Sequence, residues 1–299
     1  MFDKFIISHK LKYFFLEKKI HSLKFQFPKI LKIKFFNWGY RIYLDLEKIC
    51  SSDDIEINFN YLLTLFRAIE IEVIENYKGF FVFDVITIET FELDYKNINL
   101  KNYELLLGYD FRSDPVFIDI KKNPHLAIQG LSNTGKTKMV ECMLLNLDRK
   151  KYNIFILNNF YDDFKNINCK KIIDLKEIEL FLSNLLTIKS MQRLITLIVI
   201  DEINQLSLNK NINLLIENLL QVARHYNIYL ICIGQILLKE NIKYKQLFNS
   251  RVSFKQIDKS VYSSFLNCNI DNLKELSDRE FYIFAETLKK CKTYSLAEL

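Results

Sequence analysis

Gly130-Leu131-Ser132-Asn133-Thr134-Gly135-Lys136-Thr137 fits the pattern G-x-x-x-x-G-K-[ST] at every position. Backbone N–H groups of such a loop curl around phosphate oxygens. Lys136 brings a point charge to the β- and γ-phosphates, and the Thr137 hydroxyl suits Mg2+. The chemistry on offer is the binding of ATP with Mg2+. Further along, the apolar run Leu197-Ile198-Val199-Ile200 ends in Asp201-Glu202. An acid at such a strand end approaches Mg2+, as Asp201 would, and a carboxylate one step beyond, Glu202, can orient or deprotonate a water that attacks the γ-phosphate. A third run, Ile228 to Gly234, ends at Gln235, whose amide can hydrogen-bond the γ-phosphate or that water. Arg224 and Arg251 are the cations of interest among only eight arginines, because either could reach a neighbouring subunit's nucleotide as an arginine finger. His125 and His225 lack partners at the spacing that metal binding or base catalysis requires, and read as structural.

These groups need a scaffold that brings distant segments together, and the chain after residue 100 has the pattern for one. Leu126 to Gln129 reads as a short buried strand entering the loop, and Lys138 to Leu147 as a helix whose N-terminus faces the phosphates. Phe117 to Ile120, Ile154 to Leu157, Ile172-Ile173, Ile195 to Ile200 and Ile228 to Ile233 read as strands. Glu177 to Ser190 and Ile212 to Arg224 read as helices. Continuous apolar strands alternating with helices predict a mostly parallel sheet covered on both faces, an α/β fold. Residues 1–100 have a different pattern. Leu31 to Leu46 and Gly79 to Phe91 look strand-rich and Tyr61 to Ile71 helical, so a small α+β module is expected there, ahead of a second domain over residues 101–299.

Charge is uneven. The chain of 299 residues carries +6 in total, but residues 1–34 carry +7 and residues 51–110 carry −8. The basic segment is interleaved with Phe5, Tyr13, Phe14, Phe15, Phe25 and Phe27, a composition that suits nucleic acid or an anionic membrane surface, or else is an ordinary lysine-rich solvated face. No apolar run approaches the roughly 20 residues that span a bilayer, and a cytosolic protein is expected. Six scattered cysteines without a C-x-x-C pair point to reduced thiols rather than to a zinc site or disulfides.

In order along the chain, these residues resemble the FtsK/SpoIIIE branch of the FtsK/HerA motor ATPases. Leu107-Gly108-Tyr109-Asp110, Val116 to Ile120 and Pro124-His125-Leu126-Ala127-Ile128-Gln129-Gly130 resemble the family's entry strands. Val222-Ala223-Arg224-His225-Tyr226-Asn227-Ile228-Tyr229-Leu230-Ile231 followed by Gln235 resembles its sensor-strand signature, and Asn249-Ser250-Arg251-Val252-Ser253-Phe254 resembles the next strand. The resemblance implies a RecA-like P-loop core and a homo-oligomeric ring, commonly a hexamer, that drives double-stranded DNA through its pore. It implies Lys136 and Thr137 on phosphate and Mg2+, Asp201 on Mg2+, Glu202 on water, Gln235 as sensor and Arg251 as an in-trans finger. Gly234 departs from the usual threonine, Ile236-Leu237 from the usual Arg-Pro, and no serine-arginine motif follows in Lys259 to Ser263. A short module ahead of a lone motor looks similar to motors of mobile elements, which implies a relaxase or a membrane channel component as further partner. The alternatives are a viral genome-packaging ATPase of the same superfamily, and a slowly hydrolysing nucleotide-dependent switch that binds DNA or a protein.

Overall fold

Isoleucine, leucine and valine runs that are apolar throughout can sit only where both faces of a sheet are covered, and they do so here. The computed structural model describes residues 2–88, 92–159, 163–238, 242–269, 275–285 and 287–296. The chain divides into two units, Met1–Phe91 and Glu92–Leu299.

The first unit holds helix α1 (Phe2–Glu17), strands β1 (Lys29–Phe36) and β2 (Gly39–Asp45), short helices α2 (Asp53–Glu56) and α3 (Phe59–Phe66), and strands β3 (Glu70–Tyr77) and β4 (Phe80–Ile86). Its sheet is antiparallel in the order β1-β2-β4-β3. The first half of the basic N-terminal segment is helical, and its end enters β1. Ile7, Leu11, Phe14 and Phe15, spaced along one helical face, bury against Ile42, Leu44, Phe81 and Phe83 of the sheet, so two of the aromatics read as contact residues are core. Phe5, Tyr13 and Phe25 stay exposed. The helix expected to reach Ile71 stops at Arg67, which adopts a left-handed cap with φ 53°, and Ile71 lies in β3. Residues 89–91 of the expected strand-rich stretch lie outside the described residues.

The second unit contains β5 (Glu104–Tyr109), β6 (Pro115–Asp119), β7 (Leu126–Gln129), α4 (Lys136–Leu145), β8 (Tyr152–Leu157), β9 (Lys170–Ile172), α5 (Leu175–Leu186), β10 (Ile195–Ile200), α6 (Ile203–Leu206) and α7 (Lys210–Val222). After these come β11 (Ile228–Gly234), β12 (Ser250–Phe254), α8 (Lys259–Leu266), β13 (Glu280–Phe284) and β14 (Leu288–Lys292). The sheet order is β6-β5-β14-β13-β12-β7-β11-β10-β8-β9. From β12 to β9 every pairing is parallel, whereas β13, β14, β5 and β6 extend the sheet antiparallel. Alternate residues of one strand serve the two faces. Leu197 and Val199 of β10 pack with Met139, Val140 and Met143 of α4, while Ile198 and Ile200 pack with α5, α7 and α8. Side chains of Asp174 and Asn209 cap α5 and α7 by accepting from the backbone N–H groups of Lys176 and Glu177, and of Asn211 and Ile212. Residues 92–100 go with this unit because Leu93, Tyr95, Ile98 and Leu100 pack on Leu106, Tyr109, Cys142 and Tyr294. The β13–β14 hairpin and α8 had no sequence signal strong enough to be expected.

Candidate active site

Strand β7 lies between β11 and β12, so the loop that leaves its end is flanked by two further strand ends. Gly130 donates its N–H to the Gln235 carbonyl at 3.2 Å, and Leu131 donates to that of Lys255 at 3.0 Å. Buried Gln129 ties the same three segments together: its Nε2 donates to Ser253 Oγ at 3.0 Å and its Oε1 accepts from the Leu237 N–H at 3.0 Å. Within the loop, Thr134 Oγ1 donates to the Leu131 carbonyl, and Gly135 takes φ 108°, a left-handed conformation that glycine adopts without a Cβ penalty. The chain then enters α4, so the helix N-terminus faces the loop.

Lys136 is buried, and its Nζ donates to the carbonyls of Gly130 and Leu131, both at 2.8 Å. Burial lowers its pKa, and the charges of Glu202 and Asp201 work against that shift. Asp201 and Glu202 follow β10, two strands from β7 across β11. Asp201 is held from the backbone: its N–H donates to Leu157 and its carbonyl accepts from Asn158 Nδ2. Burial, then the charges of Asp163 and Glu202, push the Asp201 carboxyl up to about 7. Glu202 starts α6 at φ 47°, ψ 51°, a left-handed conformation rare for a residue with a side chain.

A cavity of about 420 Å3 joins these groups, lined by Ser132, Asn133, Gly135, Lys136, Thr137, Lys138, Asp163, Asp201, Glu202 and Arg279. Two of these carry signals the sequence did not offer. Asp163 arrives in a turn held by α4, where buried Glu141 accepts the neighbouring Phe164 N–H at 3.0 Å. Arg279 precedes β13, and its N–H donates to the Thr134 carbonyl at 3.1 Å. Neither belongs to a motif, and the topology alone brings them in. Oxygen donors of Thr137 and Asp201, beside further carboxylates, are the hard ligand chemistry that suits Mg2+. Among the described residues no group of three His, Cys, Asp or Glu could hold a metal by itself.

Three expected site residues lie elsewhere. Gln235 is exposed and its side chain does not line the cavity; its carbonyl accepts from Gly130 and from Gln256 Nε2 at 2.9 Å. Arg251 pairs with Ala127 near the start of β7, at the strand ends opposite the phosphate loop. Its Nε and Nη1 donate to the carbonyls of Phe248 (3.2 Å) and Phe265 (3.1 Å). Arg224 is exposed in the 3-10 turn entering β11. His125 is buried and structural in placement, its Nδ1 accepting from the Leu230 N–H at 3.0 Å.

No family model matches the chain, and no curated protein matches it by sequence. Solved structures do match. The monomer form of the pCW3 conjugation coupling protein TcpA, solved with ATPγS, superposes with a TM-score of 0.61 at 13% identity, covering 97% of this chain and 95% of that one. The chain has the fold of the FtsK/HerA-type P-loop ATPases. EccC from Thermomonospora curvata (ATPases 2 and 3, in complex with a signal sequence peptide) matches at a TM-score of 0.55 and 12% identity, over 69% of this chain and 44% of that one. EssC from Geobacillus thermodenitrificans (ATPases 2 and 3) matches at 0.50 and 17%, over 86% and 53%. The chain thus spans about half the length of these last two and almost all of the first. At such identities the likeness is one of fold. It bears out the resemblance read from the phosphate loop and the strand ends. No helix among the described residues is long and apolar enough to cross a membrane.

Proposed function

We propose that the chain is an ATP-hydrolysing motor that moves double-stranded DNA, built as a homo-oligomeric ring, a hexamer by the resemblance, and serving DNA transfer by a plasmid or integrative element. The observation that carries the hydrolytic reading is the convergence of Lys136, Thr137, Asp201 and Glu202 on one cavity at a helix N-terminus. When bound, Mg2+-ATP supplies the reactive phosphoanhydride and the positive charge that neutralises it. Lys136 Nζ would exchange its two loop carbonyls for the β- and γ-phosphates, with Thr137 Oγ1 and Asp201 as metal ligands. Glu202 would orient the attacking water and draw off its proton. Gln235, one strand end from the acid pair, is the candidate sensor of the γ-phosphate. Arg251 as an in-trans finger would first have to leave the Phe248 and Phe265 carbonyls.

The transfer reading is supported by the near-complete mutual coverage with a conjugation coupling protein, first unit included. That reading also names a relaxase or a channel component as partner, with the protein on the cytoplasmic side. The basic N-terminal segment of the first unit, residues 1–34, is the candidate for contact with an anionic partner. In it, Lys4, Lys12, Lys29 and Lys32 line a cavity of about 860 Å3 together with Leu16, Phe27 and Ile30.

The test is steady-state ATP hydrolysis with and without linear double-stranded DNA, with Lys136→Ala as blank. Stimulation by DNA that the blank lacks, and accumulation of bound ATP in Glu202→Gln, are the expected results. Turnover indifferent to DNA would overturn the motor reading, and stoichiometric ATP binding without turnover would favour a switch.

A further inference from the structure

Arg279 is held against the phosphate loop by its own backbone. Its backbone lies in the left-handed region at φ 65°, and two hydrogen bonds fix it there: its N–H donates to the Thr134 carbonyl at 3.1 Å, and its carbonyl accepts from the Thr293 N–H at 2.9 Å. The consequence is positional. A Cβ built on Gly135 would stand 3.2 Å from Arg279 Cγ, so the side-chain stem lies directly over the phosphate loop, and the residue lines the same cavity as Lys136 and Asp201.

Among the other cations lining that cavity, Lys138 is already matched by Glu141 at 2.8 Å. The Arg279 guanidinium has an anionic partner as well, but a replaceable one. It pairs with the carboxylate of Glu92, whose other oxygen receives Lys292 Nζ at 2.5 Å. Glu92 is more than half exposed and would keep Lys292 if Arg279 left. A guanidinium fork fits carboxylate and phosphate oxygens by the same geometry, so one anion can replace the other.

Resting on the reading of this cavity as a nucleotide site, we propose that Arg279 is a phosphate ligand for the nucleotide of its own subunit, occupied by Glu92 until phosphate displaces it. The site is then completed in cis by a residue just ahead of β13, two strands from β7 on the side away from the acid pair. Glu92 sets the affinity by competition.

The experiment displaces a fluorescent ATP analogue from the whole chain with inorganic tripolyphosphate, which has neither base nor ribose, in Mg2+ at constant ionic strength. Arg279→Met keeps the apolar stem over Gly135 and removes the charge. It should weaken both the nucleotide and tripolyphosphate about tenfold, the size of one charge-assisted hydrogen bond, with partial recovery in Arg279→Lys. Glu92→Gln should act oppositely and tighten tripolyphosphate about threefold, as loss of one partly exposed competing charge would. Wild-type affinity in Arg279→Met overturns the proposal. So does a loss confined to the nucleotide with tripolyphosphate unchanged, which would put Arg279 on the base or ribose. Should Arg279→Met fail to fold, Arg279→Lys and Glu92→Gln still decide. Lys136→Ala keeps the two questions apart: if it binds as tightly as the parent, or the parent binds nothing, the nucleotide-site reading itself has failed.

Discussion

Gly234 occupies the position where the resembled motors carry threonine, and the structure gives a steric reason for the departure. A Cβ added there would stand 2.4 Å from Asn204 Oδ1 and 2.7 Å from Leu237 Cδ2. Asn204, in α6 just after the acid pair, uses both ends of its amide: Oδ1 accepts from the Gln235 N–H at 3.1 Å and Nδ2 donates to the Ile236 carbonyl at 2.9 Å. It is the strut between the loop that carries Asp201-Glu202 and the end of β11. Gly234→Ala can be accommodated only by turning Asn204 away, which gives up two hydrogen bonds at about 1 kcal/mol each. Pressure on Leu237 adds about 1 kcal/mol. The lower chain entropy of unfolded alanine returns about 0.5 kcal/mol. The net loss is about 2–3 kcal/mol, a fall in melting temperature of roughly 5–10 °C for a unit of this size. The assay is thermal and urea unfolding of Gly234→Ala, Asn204→Ala and the double variant. Because Asn204→Ala alone forfeits the same two bonds, the double variant should be less damaged than the sum, by about 1–2 kcal/mol. Strict additivity, or a neutral Gly234→Ala, would refute the strut.

Removing the Arg251 charge should behave as a stability change within the subunit: Arg251→Met leaves the Phe248 and Phe265 carbonyls without their donor, at a cost of about 2 kcal/mol measured by urea unfolding. If instead its stability is unchanged while ATP turnover collapses and is restored by mixing with Lys136→Ala subunits, Arg251 works in trans. Stability should fall in mild acid because of His125, whose burial lowers its pKa to about 4 against about 6.5 in an unfolded chain. The neutral imidazole accepts the Leu230 N–H, so this contribution is complete above about pH 6.5. It is lost as the pH drops through about 4, up to about 3 kcal/mol in total. Urea unfolding between pH 7 and 4 should show a shallower slope for His125→Phe than for the parent; parallel slopes would exclude His125 as the source.

The phosphate loop, the acid pair and the parallel core were legible because each is a local pattern. Glycine spacing, a Lys-Thr step and apolar runs too continuous for an open sheet face need no knowledge of distant residues. The aromatic residues of the basic N-terminal segment were harder. Composition alone could not separate Phe14 and Phe15, which bury in the core, from Phe5 and Phe25, which do not. Which face of a lysine-rich helix turns inward depends on the sheet that covers it.

The order of strands across the sheet was decided by tertiary structure, and with it the rest of the site. Sequence alone determined that a nucleotide-type loop and two carboxylates exist in one α/β unit. Only the fold put Asp163 beside Asp201 and raised its carboxyl to about 7, and only the fold laid Arg279 over Gly135. Tertiary structure also turned Arg251 to carbonyls at the opposite strand ends and closed the Gly234 pocket with Asn204. The physical reason is range. Loop chemistry is written in neighbouring residues, whereas burial, Coulomb interaction and steric exclusion act between residues that are adjacent only once the sheet has formed.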